Sequence, residues 1–358
     1  MGKGANKRIV VIGAGIVGAS LAYHLAAKGA QVTVIEAGEI ASGVTGRSFA
    51  WINTTHLGHD PIALLRGTAI DAYHRLETQL PALNIRWTGA LSYSADVIKA
   101  CGASASVSLL SRAEIQRLEP NLKHPTQQAL YKAEEGALDA VQATHVLIAA
   151  AQALGAKLLT QTPVSGFTTH NATVTGVETA TGSIAADTVI LAAGTGIRAL
   201  AAMLNISLPL AASPALFIRY KAQADLINGI ISSPAMEVRQ GADGTLLAAE
   251  DYVSDAPDHQ PMAIALQTAK AIQHELGAIT AIEPDIACIG LRPMPEDGVP
   301  IVGYLPGIDG AYVCVMHPGV TLAATVGRLV SEEIVDGVLA AALVPCRPQR
   351  FLEKSTSV

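Results

Sequence analysis

The stretch "RIVVIGAGIVGASLAYHLAAKGAQVTVIEAG", residues 8–38, decides the fold of this 358-residue chain. Arg8 to Ile12 is a short β-branched run, as expected of a strand buried on both faces. Gly13, Gly15 and Gly18 follow as GxGxxG. Ala19 to Lys28 has helical periodicity and stops at Gly29, a C-cap glycine. Gln31 to Ile35 is a second apolar strand closing on Glu36. The order has a physical logic. Gly13 permits the tight turn, Gly15 lets a pyrophosphate approach the backbone, and Gly18 lets helix and strand pack closely. The helix N-terminus offers unpaired N–H groups to the anion, and Glu36 is placed to accept from a ribose. The unit predicts a dinucleotide site contacted by Gly13, Gly15, Ile16, Val17, Gly18, Glu36 and Ala37. An acid rather than an arginine at position 36 disfavours a 2′-phosphate, hence NADP. The unit alone leaves NAD and FAD both open.

In the chain as a whole, half of the residues are hydrophobic and 15% are charged, the balance of a folded globular protein. The net charge of −6 comes with no basic stripe, and aromatic residues are scarce at 4%, which argues against a nucleic-acid partner. Cys101, Cys288, Cys314 and Cys346 form no CxxC pair, so neither a disulfide framework nor a metal site is expected. No secretory segment precedes the first strand, and no apolar run reaches the ~18 residues of a membrane span. A cytoplasmic protein is the expectation.

After Glu36, "AGEIASGVTGRSFAWIN" is a small polar loop. Ser42, Gly43, Thr45, Gly46, Arg47 and Ser48 in it can wrap the second half of a longer dinucleotide. From residue 142 a helix, a short strand and alternating strands are expected, with a tight turn at Thr181-Gly182. A buried strand from Thr188 to Ala192 then runs into Ala193-Gly194-Thr195-Gly196, a second glycine turn where parallel-sheet proteins place ligands. Near the end, Pro318-Gly319 opens a helix with Leu322, Val326, Leu329 and Val330 on one face.

Taken together, "VVIGAGIVGASLAYHL", "SGVTGRS", "VILAAGTG", "GLRPMPEDGVPIVG" and "MHPGVTLAATVGRLVSEEI" resemble, in family order, the D-amino-acid oxidase superfamily of FAD-dependent oxidoreductases. That superfamily includes glycine oxidase, sarcosine oxidase and D-amino-acid dehydrogenases. The resemblance covers essentially the whole chain. It implies an α/β (α+β) fold with a Rossmann-like FAD-binding domain from residues 1–80, 141–209 and 286–358. A mainly antiparallel β-sheet substrate domain would come from residues 81–140 and 210–285. Carried over residue by residue, Val164 offers its backbone to the adenine, and Ala193 and Gly194 approach the cofactor. Gly319, Val320 and Thr321 aim a helix N-terminus at the flavin N1–C2=O edge. Arg292, in the GLRP motif, is implied as the clamp for a substrate carboxylate, whose planar shape a guanidinium matches. His317 lies beside the flavin ring or the substrate. The implied chemistry is oxidation of a C–N bond by hydride transfer to flavin N5. The donor is a D-amino acid, an imino acid, a glycine derivative or an opine.

The chain also departs from that pattern. Matched through the "PEDG" turn, the cysteine that carries the flavin in sarcosine-oxidase-like members falls at Gly290, two residues past Cys288, so non-covalent FAD is expected. The lysine that those oxidases place above the flavin is missing from "DGTLLAAEDYV". That points to a dehydrogenase with another electron acceptor or a partner subunit, and Glu250 in this strand reads as a structural residue. The alternatives are a non-catalytic subunit of a hetero-oligomeric dehydrogenase that retains FAD, and an NAD-dependent enzyme.

Overall fold

The computed structural model describes residues 6–54, 59–93, 107–223, 225–252, 260–277, 279 and 282–352. Cys101 and Val253, which figure in the expectations above, lie outside these residues.

The first strand, β1 (Arg8–Ile12), occupies the middle of a six-stranded sheet. It pairs in parallel with β2 (Gln31–Ile35) on one side and with Thr188–Leu191 on the other. Beyond β2 lies Lys157–Leu159, and beyond Thr188–Leu191 lie Ala311–Val315 and then Ile301–Tyr304, which is antiparallel to its neighbour. Alternation across this sheet explains why β1 reads as a continuous apolar run. Ile9 and Val11 pack with the helices of one layer, and Val10 and Ile12 pack toward the other face. The first layer contains α1 (Ile16–Ala27), Ala140–Ala153 and Gly319–Ser331. A three-stranded antiparallel sheet, Val164–His170, Thr173–Thr179 and Gly182–Ala185, covers the second face.

Two boundaries differ instructively from expectation. α1 starts at Ile16, three residues earlier than the periodicity suggests, because Gly15 takes an extended conformation as its N-cap. The helix therefore begins inside the glycine motif. The hairpin expected to turn at Thr181-Gly182 turns at Ala180-Thr181 instead, and Gly182 opens the returning strand with φ +121°.

The second sheet has eight strands. Its order is Glu283–Pro295, Leu210–Lys221, Leu246–Asp251, Glu237–Gln240, Ile230–Ser232, Ala90–Ser92, Gln128–Lys132 and Ser108–Ser111. All its pairings are antiparallel except Ile230–Ser232 with Ala90–Ser92. Helix Pro261–Glu275 packs on this sheet, and the buried Tyr220 hydroxyl donates to its Ala265 carbonyl at 2.8 Å. Residue 286, the expected start of the last cofactor segment, falls within the edge strand Glu283–Pro295, which pairs with Leu210–Lys221 along its length. Arg239 ties this sheet to the loop after β2. Its buried guanidinium donates to the carbonyls of Phe49 (2.8 Å) and Leu138 (3.0 Å) and lies over the Phe49 ring.

Candidate functional site

A cavity of about 750 Å³ opens where the two sheets meet. Its floor is the first βα turn. Gly13 holds φ +111°, and a Cβ there would lie 2.5 Å from the Ala192 carbonyl oxygen, so only glycine fits between the two strand ends. Gly18 does not line the cavity. A Cβ at that position would collide with the Gly13 carbonyl, which is the close helix–strand packing that the motif requires. Gly46 likewise stands behind the wall, against the Ala41 carbonyl.

Gly13, Gly15, Ile16, Val17, Glu36, Ala37, Ser42, Gly43, Thr45, Arg47, Ser48, Val164, Ala193, Gly194, Gly319, Val320 and Thr321 all line the cavity, as do Arg292 and His317. The fold thus gathers residues that lie up to three hundred positions apart in sequence. Some hydroxyls expected to face a ligand are already engaged. Thr45 Oγ1 accepts from the Ile16 N–H at 3.1 Å, and Thr321 Oγ1 accepts from the Asn53 N–H at 3.2 Å. Glu36 is braced at the end of β2. Its two carboxylate oxygens accept from the backbone of Ala14 (2.8 Å) and Gly38 (2.9 Å), and their remaining lone pairs stay available to a ribose.

Three features of this cavity fit a large anionic dinucleotide. Helices α1 and Gly319–Ser331 both point N-termini at it, and neither N-cap, Gly15 or Pro318, supplies a side-chain cap, so first-turn N–H groups and positive dipole ends face inward. The turn at Gly13 has no room for a side chain, so it presents bare backbone to a ligand. The indole N–H of Trp51, on the cavity wall, is buried without a hydrogen-bond partner.

On the opposite wall stands Arg292. Its Nη2 donates to Ser213 Oγ at 2.9 Å and to the Pro214 carbonyl at 3.2 Å, and its Nε is buried without a partner. Among the described residues no carboxylate lies within ion-pair distance of it. His317 is pushed down to about 4, first by burial and then by the charges of Arg292 and Arg66, so the imidazole is neutral at pH 7. Glu250 is anchored away from this wall by Thr268, whose hydroxyl donates to it at 2.9 Å.

Gly290, the position matching the flavin-carrying cysteine, is wedged against the loop after β2. A Cβ there would meet the Arg47 carbonyl at 3.1 Å and Val44 at 3.2 Å. Cys288 is half-buried, does not line the cavity, and has its thiol raised by burial, which keeps it in the unreactive form.

Sequence reasoning missed Trp51, Asn53, Phe217, Ala249, Met316 and Glu237, all on the cavity wall. Met316 opens the quoted MHPG motif, and Trp51 and Asn53 end the loop after Glu36, but neither motif nor loop assigned them a role. Phe217, Ala249 and Glu237 reach the cavity only through cross-strand register, which one sequence does not display.

The fold and the cradle are those of a dinucleotide-binding protein. The chain belongs to the FAD dependent oxidoreductase family, whose profile matches residues 8–333. FAD is therefore its cofactor, which settles the choice that the βαβ unit left open against NAD. Glycine oxidase of Pseudomonas putida is 26% identical over 337 residues, covering 87% of this chain and 89% of the relative. One of the subunits of opine oxidase from Agrobacterium tumefaciens is 24% identical, covering 96% and 97%. A solved L-amino acid deaminase from Proteus vulgaris superposes with a TM-score of 0.87 at 19% identity, over 98% of this chain and 95% of that one, and so shares the fold. Among the described residues no helix is long and apolar enough to cross a membrane.

Proposed function

We propose that this protein oxidises the C–N bond of an amino acid or N-substituted amino acid whose carboxylate is held by Arg292. The observation that carries the reading is the guanidinium itself, on the cavity wall, with no carboxylate partner among the described residues and with donors to spare. The residue is half-buried, but its Nε is fully enclosed, and an enclosed donor without a partner is costly unless a ligand completes it. The relatives support the class, since glycine and opine oxidases are named for such donors.

In this reading the parts of the chain divide the work as the resemblance implies. Residues 1–80, 141–209 and 286–358 hold non-covalent FAD. Residues 81–140 and 210–285 shape the substrate side. Glycines and helix N-termini bind the pyrophosphate, Glu36 the ribose, and Val164 the adenine end. When bound, the flavin accepts the electron pair released with the substrate's α-hydrogen. Arg292, fixed by Ser213 and Pro214, orients the carboxylate and with it the α-carbon. Neutral His317 adds no second positive charge beside the amine. The N-terminus of Gly319–Ser331 provides a field that favours negative charge building up on the ring. The strand Leu246–Asp251 contains no lysine, which favours an acceptor other than oxygen. The opine oxidase relative is named as one part of a multi-chain enzyme, and this supports a second polypeptide as the destination of electrons.

Anaerobic mixing with a panel of D- and L-amino acids, imino acids and N-alkyl glycines tests the proposal. Bleaching of the flavin by at least one is expected. A holoprotein that no member bleaches is a non-catalytic subunit, and the proposal is wrong. With a bleaching substrate, dye reduction should outpace peroxide formation, and peroxide at the full dye rate removes the dehydrogenase preference.

A further inference from the structure

Glu237 is the acidic side chain that the eight-stranded sheet turns into the cavity. Register places it. Cys288, Phe217, Ala249, Glu237 and Ser232 form one cross-strand row, so their side chains share a face. Arg292, four residues beyond Cys288 on the edge strand, is on that same face. Glu237 stands three strands in from this edge, about 14 Å at roughly 4.8 Å per strand, and Arg292 lies a further four residues, about 13 Å at roughly 3.3 Å each, along the edge strand from that row. The two long side chains therefore face each other diagonally across the cavity wall that Phe217 and Ala249 share.

The carboxyl has no partner that explains its position. Ser232 Oγ donates to it at 3.3 Å, a long bond, and among the described residues no cation forms an ion pair with it. Its neighbours make its charge harder to hold. Burial first, then Glu250 and Asp251 on the adjacent strand, push it up to about 7 against the pull of Ser232 and Arg292. Arg47, His317 and Cys314 are the other titratable groups on the cavity wall besides Glu36 and Arg292; His317 is neutral near pH 7, and burial raises the Cys314 thiol. A carboxyl kept in such a place at a cost in stability marks a group awaiting a ligand.

We propose that Glu237 binds a second cationic group of the substrate, an ammonium or guanidinium at the end remote from the carboxylate. The substrate class is then an elongated, dibasic amino acid or N-substituted amino acid, gripped by Arg292 at one end and Glu237 at the other. The inference rests on Arg292 holding the carboxylate, and its test separates the two.

The test uses isosteric pairs on the FAD-loaded protein. Calorimetry compares 5-aminopentanoate with hexanoate, and steady-state kinetics compares arginine with citrulline in both enantiomers. The cationic member of each pair should be favoured at least about tenfold, by Kd or kcat/KM. The preference should grow from pH 6 to pH 8, as Glu237 ionises. Glu237→Gln should bring the ratio to about one, and Glu237→Asp, which keeps the charge, should retain part of it. FAD content, read from the flavin absorbance, identifies a variant that has failed to fold, and the Asp variant then decides. Wild-type protein with no cation preference, or a Gln variant that keeps it, overturns the proposal. Loss of the Arg292 reading looks different. Hexanoate and citrulline would then bind wild type and Arg292→Ala equally, whatever Glu237 does.

Discussion

In the proposed reading the two walls of the cavity, one for cofactor and one for substrate, recognise their ligands by opposite means. The cofactor wall is built from backbone, with Gly13 pressed against a strand end, two helix N-termini without side-chain caps, and an acid braced by two backbone N–H groups. The substrate wall is built from side chains, with Arg292, Phe217, Ala249 and Glu237 spread over four strands. A backbone surface is fixed once the fold forms, and it is damaged by adding atoms. A side-chain surface can be rewritten without disturbing the fold, and it is damaged by removing atoms. One wall can therefore keep a common cofactor while the other sets the donor.

The contrast breaks most visibly at Gly15. A Cβ there already meets Thr45 Oγ1 at 3.1 Å, and valine adds two methyl groups where the pyrophosphate approaches. Gly15→Val should purify without yellow colour, whereas Glu36→Ala, which leaves the turn open, should lose only part of its FAD. A Gly15→Val protein with full flavin absorbance would mean that the pyrophosphate lies elsewhere.

At Arg292 the reverse operation applies. Truncating one side of a buried, hydrogen-bonded charge pair costs about 2–5 kcal/mol, or roughly thirty-fold to several-thousand-fold in binding. Arg292→Ala should raise the substrate KM or Kd by at least that lower factor with FAD content unchanged, and Arg292→Lys should recover part of it, since an ammonium lacks the planar fork. Loss of FAD in the alanine variant would instead make Arg292 a structural residue. An equal effect on an amine without a carboxylate would assign it to pocket shape.

The same contrast explains what could be read in advance. The cofactor wall was legible because its requirements are local. A strand, three glycines at fixed spacing and a terminal acid must follow one another in the chain. Even so, Gly18 and Gly46 proved to sit behind the surface, because close packing and ligand contact both demand glycine. Arg292 could be found only because the GLRP motif resembles a known family. Phe217, Ala249 and Glu237 carry no local signature. They meet because Leu210–Lys221, Leu246–Asp251 and Glu237–Gln240 pair in one particular register. The loop packed on Gly290 is equally non-local.

The buried acid of the substrate wall also makes stability depend on pH, though weakly. Burial raises Glu237 to about 7, so between the ordinary carboxyl value near 4.5 and pH 7 the folded protein holds a proton that the unfolded chain has released. Its contribution to stability is present below about pH 4.5 and declines as pH rises through 7. His317, lowered to about 4, acts with the opposite sign and favours the folded state as pH rises from 4 to 6.5. Glu237→Gln removes the first of these and leaves the second. Substrate-free Glu237→Gln protein should therefore gain on wild type in thermal stability at pH 8 relative to pH 5, by on the order of 1–3 kcal/mol. Paired melting curves at the two pH values measure the difference directly. If the gap between variant and wild type is the same at both, Glu237 ionises as an ordinary surface carboxylate. The substrate wall then stores no strain for a cationic ligand to relieve.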